Sequence, residues 1–210
     1  MATAALGSVE FHVAVNGNDT GDGSSRSPFH TIQHAADMAQ PGDTITVHAG
    51  TYRERVNPPR GGTSDDKRIV YRAAPQELVE IKGSEVVTGW VNLQGDVWKV
   101  TLPNSFFGSF NPYHDLIRGD YFNPKGREHH TGAVYLNGDW LTEAAKIEDV
   151  MKPVGNESQW FAHVDATNTT LWAQFKGVNP NEQLVEINVR QTVFYPDSPG
   201  RNYKIGRAHV

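Results

Sequence analysis

The apolar positions change period along the chain. An apolar lead-in strand begins at Phe11 and runs into the glycine- and aspartate-rich loop Asn16–Gly23. From Phe29 to Ala39 the spacing becomes helical, with Phe29, Ile32, Ala35, Ala36 and Ala39 on one face and His30, His34 and Asp37 on the other. Ser27 is the expected N-cap and Pro28 the expected first helical residue, where a missing N–H costs nothing. Pro41 and Gly42 stop the helix, and a β-rich segment closed by Gly50 follows. The order is strand, loop, short amphipathic helix, strand. An apolar helical stripe of this kind suits a lid over the open end of a β-structure.

The middle of the chain carries a different pattern. Ala133–Leu136 and Asp139–Leu141 flank Asn137-Gly138, a strong signal for a type I′ hairpin turn. Trp160–Val164 and Thr170–Phe175 flank a longer turn at Asp165–Thr169. Both pairs predict antiparallel strands with one buried face. A helical stretch is expected from Glu143 to Met151. All five tryptophans fall between Trp90 and Trp172. This region, about 85–183, reads as an inserted β-sandwich-like domain. The flanks, Ile69–Ala73 and Val79–Gly83 before it and Val185–Tyr195 after it, read as strands of a separate β-structure.

The strand–loop–helix–strand order at the N-terminus resembles the cap and first coil of right-handed parallel β-helix proteins, in which the first coil of a stack needs a lid. The expected fold is therefore mainly β: a parallel β-helix, with its cap helix and first coils, interrupted by an antiparallel sandwich-like insert. The expected layout is 1–84 for the cap and first coils, 85–183 for the insert and 184–204 for a return to the β-helix. The closing run Ile205–Val210 reads as a translated sequencing-library adapter, which makes 205–210 a non-native tail and the chain an N-terminal fragment.

Composition narrows the function. The chain has 210 residues, 38% hydrophobic and 20% charged, with a formal net charge of -5. No basic stripe is present, so a nucleic-acid partner is not expected. No apolar run approaches a membrane span. Cysteine is absent, which excludes disulfides and thiolate metal sites. The first ten residues, MATAALGSVE, lack the basic and long apolar regions of a signal peptide, so a cytoplasmic location is the default expectation.

A narrower resemblance lies in longer phrases. TYRERVNPPRGGTSDDKRIVYRAAP, VEIKGSE, DVWKVTLPNSFFGSFNPYHDLIRGDYF, GAVYLNG and PNEQLVEINVRQTVFYP resemble glycoside hydrolase family 120. The resemblance covers Phe11 to Tyr203 and implies a β-xylosidase on a β-helix with a sandwich insert. It implies retention through an aspartate nucleophile and a glutamate acid/base, about 5–5.5 Å apart. In the family both lie in later coils, so no residue here is assigned a catalytic role and no cofactor is expected. An oligosaccharide is the implied substrate, and the full-length protein is open to homo-oligomer formation.

What this chain is expected to supply is pocket wall. From Pro103 to Thr131, Phe106, Phe107, Phe110, Tyr113, Tyr121 and Phe122 are interleaved with Asn104, Asn111, Asp115 and Asp120. Sugar rings pack C–H faces on aromatic rings, and their hydroxyls seek Asn and Asp partners. Tyr121, Asp120 and Asn111 are the candidate substrate contacts. Tyr121 stands where similar members of the family carry tryptophan.

Other clusters read more plainly. The aspartates of Asn16–Gly23 have calcium-loop-like spacing without the closing glutamate, and a turn is expected. His30 and His34 have zinc-motif spacing without an intervening glutamate. Glu128-His129-His130 is read as a solvated loop or a rim contact. Two other classes stay open on the sequence: a calcium-dependent polysaccharide lyase, from the shared cap, and a non-catalytic carbohydrate-binding β-helix, from the tryptophan-rich insert.

Overall fold

The computed structural model describes residues 7–197 and 203–205. The chain divides into two units, Met1–Gly83 with Thr192–Val210, and Ser84–Gln191. Both are mainly β.

In the first unit β1 (Glu10–Val13), α1 (Ile32–Met38), β2 (Thr44–Val47), β3 (Gly50–Tyr52), β4 (Ile69–Ala73) and β5 (Val79–Ile81) follow one another. β1, β2, β4 and a strand at Tyr203–Ile205 form one sheet in that order, every pair parallel. β3 and β5 form a second parallel pair. The register stacks like on like. Phe11 aligns with Ile45 and Ile45 with Tyr71, while His12 aligns with Thr46 and Thr46 with Arg72. Because side chains alternate across a strand, the first ladder enters the core and the second forms a polar strip. In that strip the Glu10 carboxylate accepts from the Thr46 hydroxyl at 2.6 Å and from Arg72 at 2.7 Å.

The helix buries the expected face: Phe29, Ile32, Ala35, Ala36 and Ala39 are at most 1% exposed, in one core with Val13, Ile45, Val56 and Ile69. Each large apolar side chain removed from water here contributes about 2 kcal/mol. Its start differs from the expectation. The N-cap is Thr31, whose hydroxyl accepts from the His34 N–H, and Ser27 instead closes a turn onto the Ser24 carbonyl. The physical reason lies in two carboxylates distant in sequence. Asp19 accepts from the His30 and Thr31 N–H groups at 2.7 and 2.9 Å, and Glu54 accepts from those of Ile32 and Gln33 at 2.9 and 2.8 Å. Together they satisfy the donors that a helix start leaves open, and the helix begins there. The Asn16–Gly23 loop is thus a turn whose central aspartate docks the helix. Of the expected adapter tail, Ile205 belongs to the last strand, and 206–210 lie outside the described residues.

The second unit contains β6 (Ser84–Val86), β7 (Val91–Gln94), β8 (Val97–Pro103), β9 (Val134–Leu136), β10 (Asp139–Trp140), β11 (Thr142–Glu143), α2 (Ile147–Met151), β12 (Gln159–Val164), β13 (Asn168–Gln174) and β14 (Val185–Asn188). β11-β12-β13-β8-β7 form a five-stranded sheet and β10-β9-β14-β6 a four-stranded one. Side chains of both meet in a single core: Val100, Trp160, Leu171 and Ala173 from the first, Val134, Val185 and Ile187 from the second. Both expected hairpins form. Asn137 and Gly138 have φ of 53° and 93°, the double positive value a type I′ turn demands. At the other turn Asp165 accepts from the Thr167 and Asn168 N–H groups, each at 2.8 Å.

Two expectations differ here. Val185–Asn188 does not return to the first unit; it lies antiparallel between β6 and β9, because its alternate residues Val185 and Ile187 fill this core. The helix expected from Glu143 is shorter, since Thr142 and Glu143 pair with β12 as a strand and only Ile147–Met151 turns helical.

Candidate functional site

The segment from Pro103 to Thr131 has one 3-10 turn, Asn104–Phe107, and otherwise runs as loop, pinned by a bridge between Leu116 and His130. Its aromatics divide by direction. Phe107 and Tyr113 point into the core, forming an edge-to-face series Phe106–Phe107–Tyr113–Trp160 with centroids 5.3–5.7 Å apart. The Tyr113 hydroxyl donates to the Ala133 carbonyl at 2.7 Å, and burial pushes its pKa well above the usual value. Gly132 is required at this contact, since a Cβ would sit 2.5 Å from the Tyr113 ring and 3.2 Å from Trp160. Tyr121 points the other way and is fully exposed.

Asn111 is held in place. Its Nδ2 donates to the Thr169 hydroxyl at 2.7 Å, which donates to Asn104 Oδ1 at 2.8 Å; Asn104 Nδ2 reaches the Asp165 carbonyl at 2.8 Å. Asn111 Oδ1 accepts from the Tyr113 N–H at 3.0 Å. This series ties the loop to β13, and most of the Asn111 amide is committed inside the protein. Asn111 lines an open, polar depression of about 670 Å³ together with Asn104, Phe110, His114, Asp115 and Arg118. Asp120 and Tyr121 are not among its lining residues; they stand exposed on the neighbouring turn that starts at Gly119. The three candidates therefore share one loop without sharing one cavity.

A second cluster was not legible as one from the sequence. His129 and His130 converge on Glu143. The His130 ring Nδ1 lies 2.7 Å from Oε1, the His130 N–H 3.3 Å from both oxygens, and His129 Nδ1 3.7 Å from Oε2. Phe122 packs edge-on against His129 at 5.3 Å, and His129 Nε2 lies 3.2 Å from the Pro124 carbonyl. The loop tip bearing Asp120 and Tyr121 is thus braced through Phe122. Glu143 opens a stretch with a helical sequence pattern, which hides this pair. Its strand position in β11, beside the hairpin, is the signal that locates it.

His30 and His34 do not form a site: His34 stands edge-on to Phe29 at 4.6 Å, and His30 is exposed. Among the described residues no group of three or more His, Asp or Glu side chains is placed to hold a metal ion. Among those residues no helix is long and apolar enough to cross a membrane.

Residues 87–159 and 154–187 match the model for the glycoside hydrolase 120 insertion domain, and residues 15–57 match that for a protein of unknown function, DUF1565. The chain belongs to glycoside hydrolase family 120. It is 44% identical to XylC, solved in complex with xylose, over 93% of its own length, with a TM-score of 0.88; it spans 34% of that chain. It is also 37% identical over 75 residues to the uncharacterized protein YwoF of Bacillus subtilis (strain 168), covering 36% of this chain and 16% of that protein.

Proposed function

We propose that this chain is the N-terminal part of a retaining glycosidase that releases xylose from β-xylo-oligosaccharides, with both catalytic carboxylates outside residues 1–210. The observation that carries this is the 44% identity with XylC, a protein solved with xylose, over 93% of the chain. The parallel strands of the first unit are read as the first coils of a right-handed β-helix, lidded by α1. In a retaining site one carboxylate attacks the anomeric carbon and displaces the sugar oxygen as the second protonates it. The second group then deprotonates the water that releases the sugar.

The contribution of this chain is wall rather than chemistry. Tyr121 offers an exposed ring face for a sugar's C–H face, with Asp120 beside it as a hydroxyl acceptor. Asn111 holds the preceding part of the loop and keeps one amide N–H for a hydroxyl. The test is hydrolysis of an aryl β-xyloside by this chain and by the longer natural gene product, with a circular-dichroism spectrum of each. A folded, β-rich but silent chain beside an active longer protein is expected. Turnover by the chain alone would put the carboxylates inside it, and silence of the longer protein on every aryl glycoside would refute a glycosidase.

A further inference from the structure

We propose that the second unit carries a carbohydrate-binding site of its own, in the cavity bounded by Trp140, Tyr135, Glu143, His130 and Arg127, and that its ligand is a neutral pyranose of an oligosaccharide chain. The cavity has a volume of about 370 Å³. That lies within the range of small-molecule sites, about 300–1,000 Å³. It is distinct from the Asn111 depression, with which it shares none of its lining residues.

Three observations bear on what it holds. Trp140 is 77% exposed at the end of the β9–β10 hairpin, directly opposite Tyr135, and both side chains line the cavity. A tryptophan left this open on a rigid hairpin gives up burial that the other core aromatics obtain, and a ring face beside a cavity is what a sugar's C–H face packs on. Glu143 is the second. Its side chain is 14% exposed, oriented by His130, and lines the same cavity. An oriented carboxylate accepts two neighbouring sugar hydroxyls. Arg127 is the third. Its Nη1 is buried without a hydrogen-bond partner, although buried donors are nearly always paired. The guanidinium lines the cavity, where its other N–H groups can meet sugar oxygens.

The charges decide between sugar classes. Arg127 and Glu143 balance, so the cavity carries no excess positive charge to select an acidic sugar. A purely structural His130–Glu143 pair would account for neither the unpaired Nη1 nor the open tryptophan. The site acts by holding substrate chain, and no bond is made or broken in it.

The choice of a xylose-based probe rests on the function proposed above; the site itself does not. The experiment is calorimetric titration of xylotetraose into the 210-residue chain, repeated with Trp140→Ala, Glu143→Gln and, as a control on exposed β7, Val91→Ala, and with a panel of oligosaccharides of other sugars. Binding weakened at least about tenfold by Trp140→Ala and by Glu143→Gln, but not by Val91→Ala, is expected. An unchanged melting temperature for Trp140→Ala would show that this loss is not unfolding. Binding of another neutral oligosaccharide through Trp140, with none of xylotetraose, would sustain the site and refute xylose as the sugar. Absence of any binding, binding that survives Trp140→Ala, or a requirement for an acidic sugar would overturn the proposal.

Discussion

Replacing Asp19 by asparagine isolates the contribution of one charge to the N-terminal lid. The side chain accepts three hydrogen bonds, from the His30 N–H at 2.7 Å, the Thr31 N–H at 2.9 Å and the Thr31 hydroxyl at 2.9 Å. Asparagine keeps an acceptor oxygen but loses the charge and one of the two oxygens. Hydrogen bonds to charged groups contribute roughly 1.5–3 kcal/mol, against about 0.5–1.5 for neutral ones. Asp19 is half-buried, so a loss of about 2 kcal/mol at neutral pH is the expected figure. For a unit near a hundred residues that is a drop of about 8–16 °C in melting temperature. The same reasoning fixes the pH dependence. Burial alone would raise the Asp19 pKa, but the hydrogen bonds from Thr31 and His30 outweigh it and hold the carboxyl below its usual value. A folded pKa below the unfolded one, near 4, means that the stabilisation is complete above that pH and is lost as the pH falls through the folded value. Guanidinium unfolding of the parent chain and Asp19→Asn, followed by far-ultraviolet circular dichroism, should therefore show a gap at pH 7 that closes towards pH 2. An equal stability at pH 7, or a gap that does not change with pH, would refute the reasoning.

Three further outcomes lie in the second unit, where all five tryptophans report unfolding by fluorescence, and one in the first. Tyr113→Phe removes the shorter of two hydrogen bonds to the Ala133 carbonyl, which keeps the Asn188 N–H at 3.3 Å, and should cost about 0.5–1.5 kcal/mol in a tryptophan-monitored urea titration. Gly132→Ala drives a Cβ into the Tyr113 ring and should cost about 1–3 kcal/mol or more, since both neighbours are packed on all sides. Breaking the exposed Arg68–Asp65 pair with Asp65→Asn should change stability by less than about 0.5 kcal/mol by thermal melting. In the longer gene product, Tyr121→Ala should raise KM for an aryl β-xyloside with no change in melting temperature, because the ring touches solvent rather than core.

Much of the fold was legible because it rests on local rules. The helical face Phe29–Ala39 and the Asn137-Gly138 turn are each set by residues close in sequence. What the sequence hid depends on distant partners. Nothing near Ser27 signals that Asp19 and Glu54 will satisfy the helix donors and move its start to Thr31. Val185–Asn188 has the same alternation whether it pairs in one unit or the other; only the competing cores decide. The candidate site divides the same way. Tyr121 and Asp120 stand on an exposed turn, while the interleaved Phe107 and Tyr113 turn inward to pack. Asn111 has the chemistry of a sugar ligand, but its position is explained first by Thr169 and Tyr113. The Glu143–His130 pair joins residues thirteen apart through a strand that reads locally as helix.

The most direct test of the central claim follows the anomer that the longer gene product releases first. Proton NMR of xylose formed from an aryl β-xyloside should show the β anomer before mutarotation, as double displacement requires. First appearance of the α anomer, or no release of xylose at all, would contradict the account.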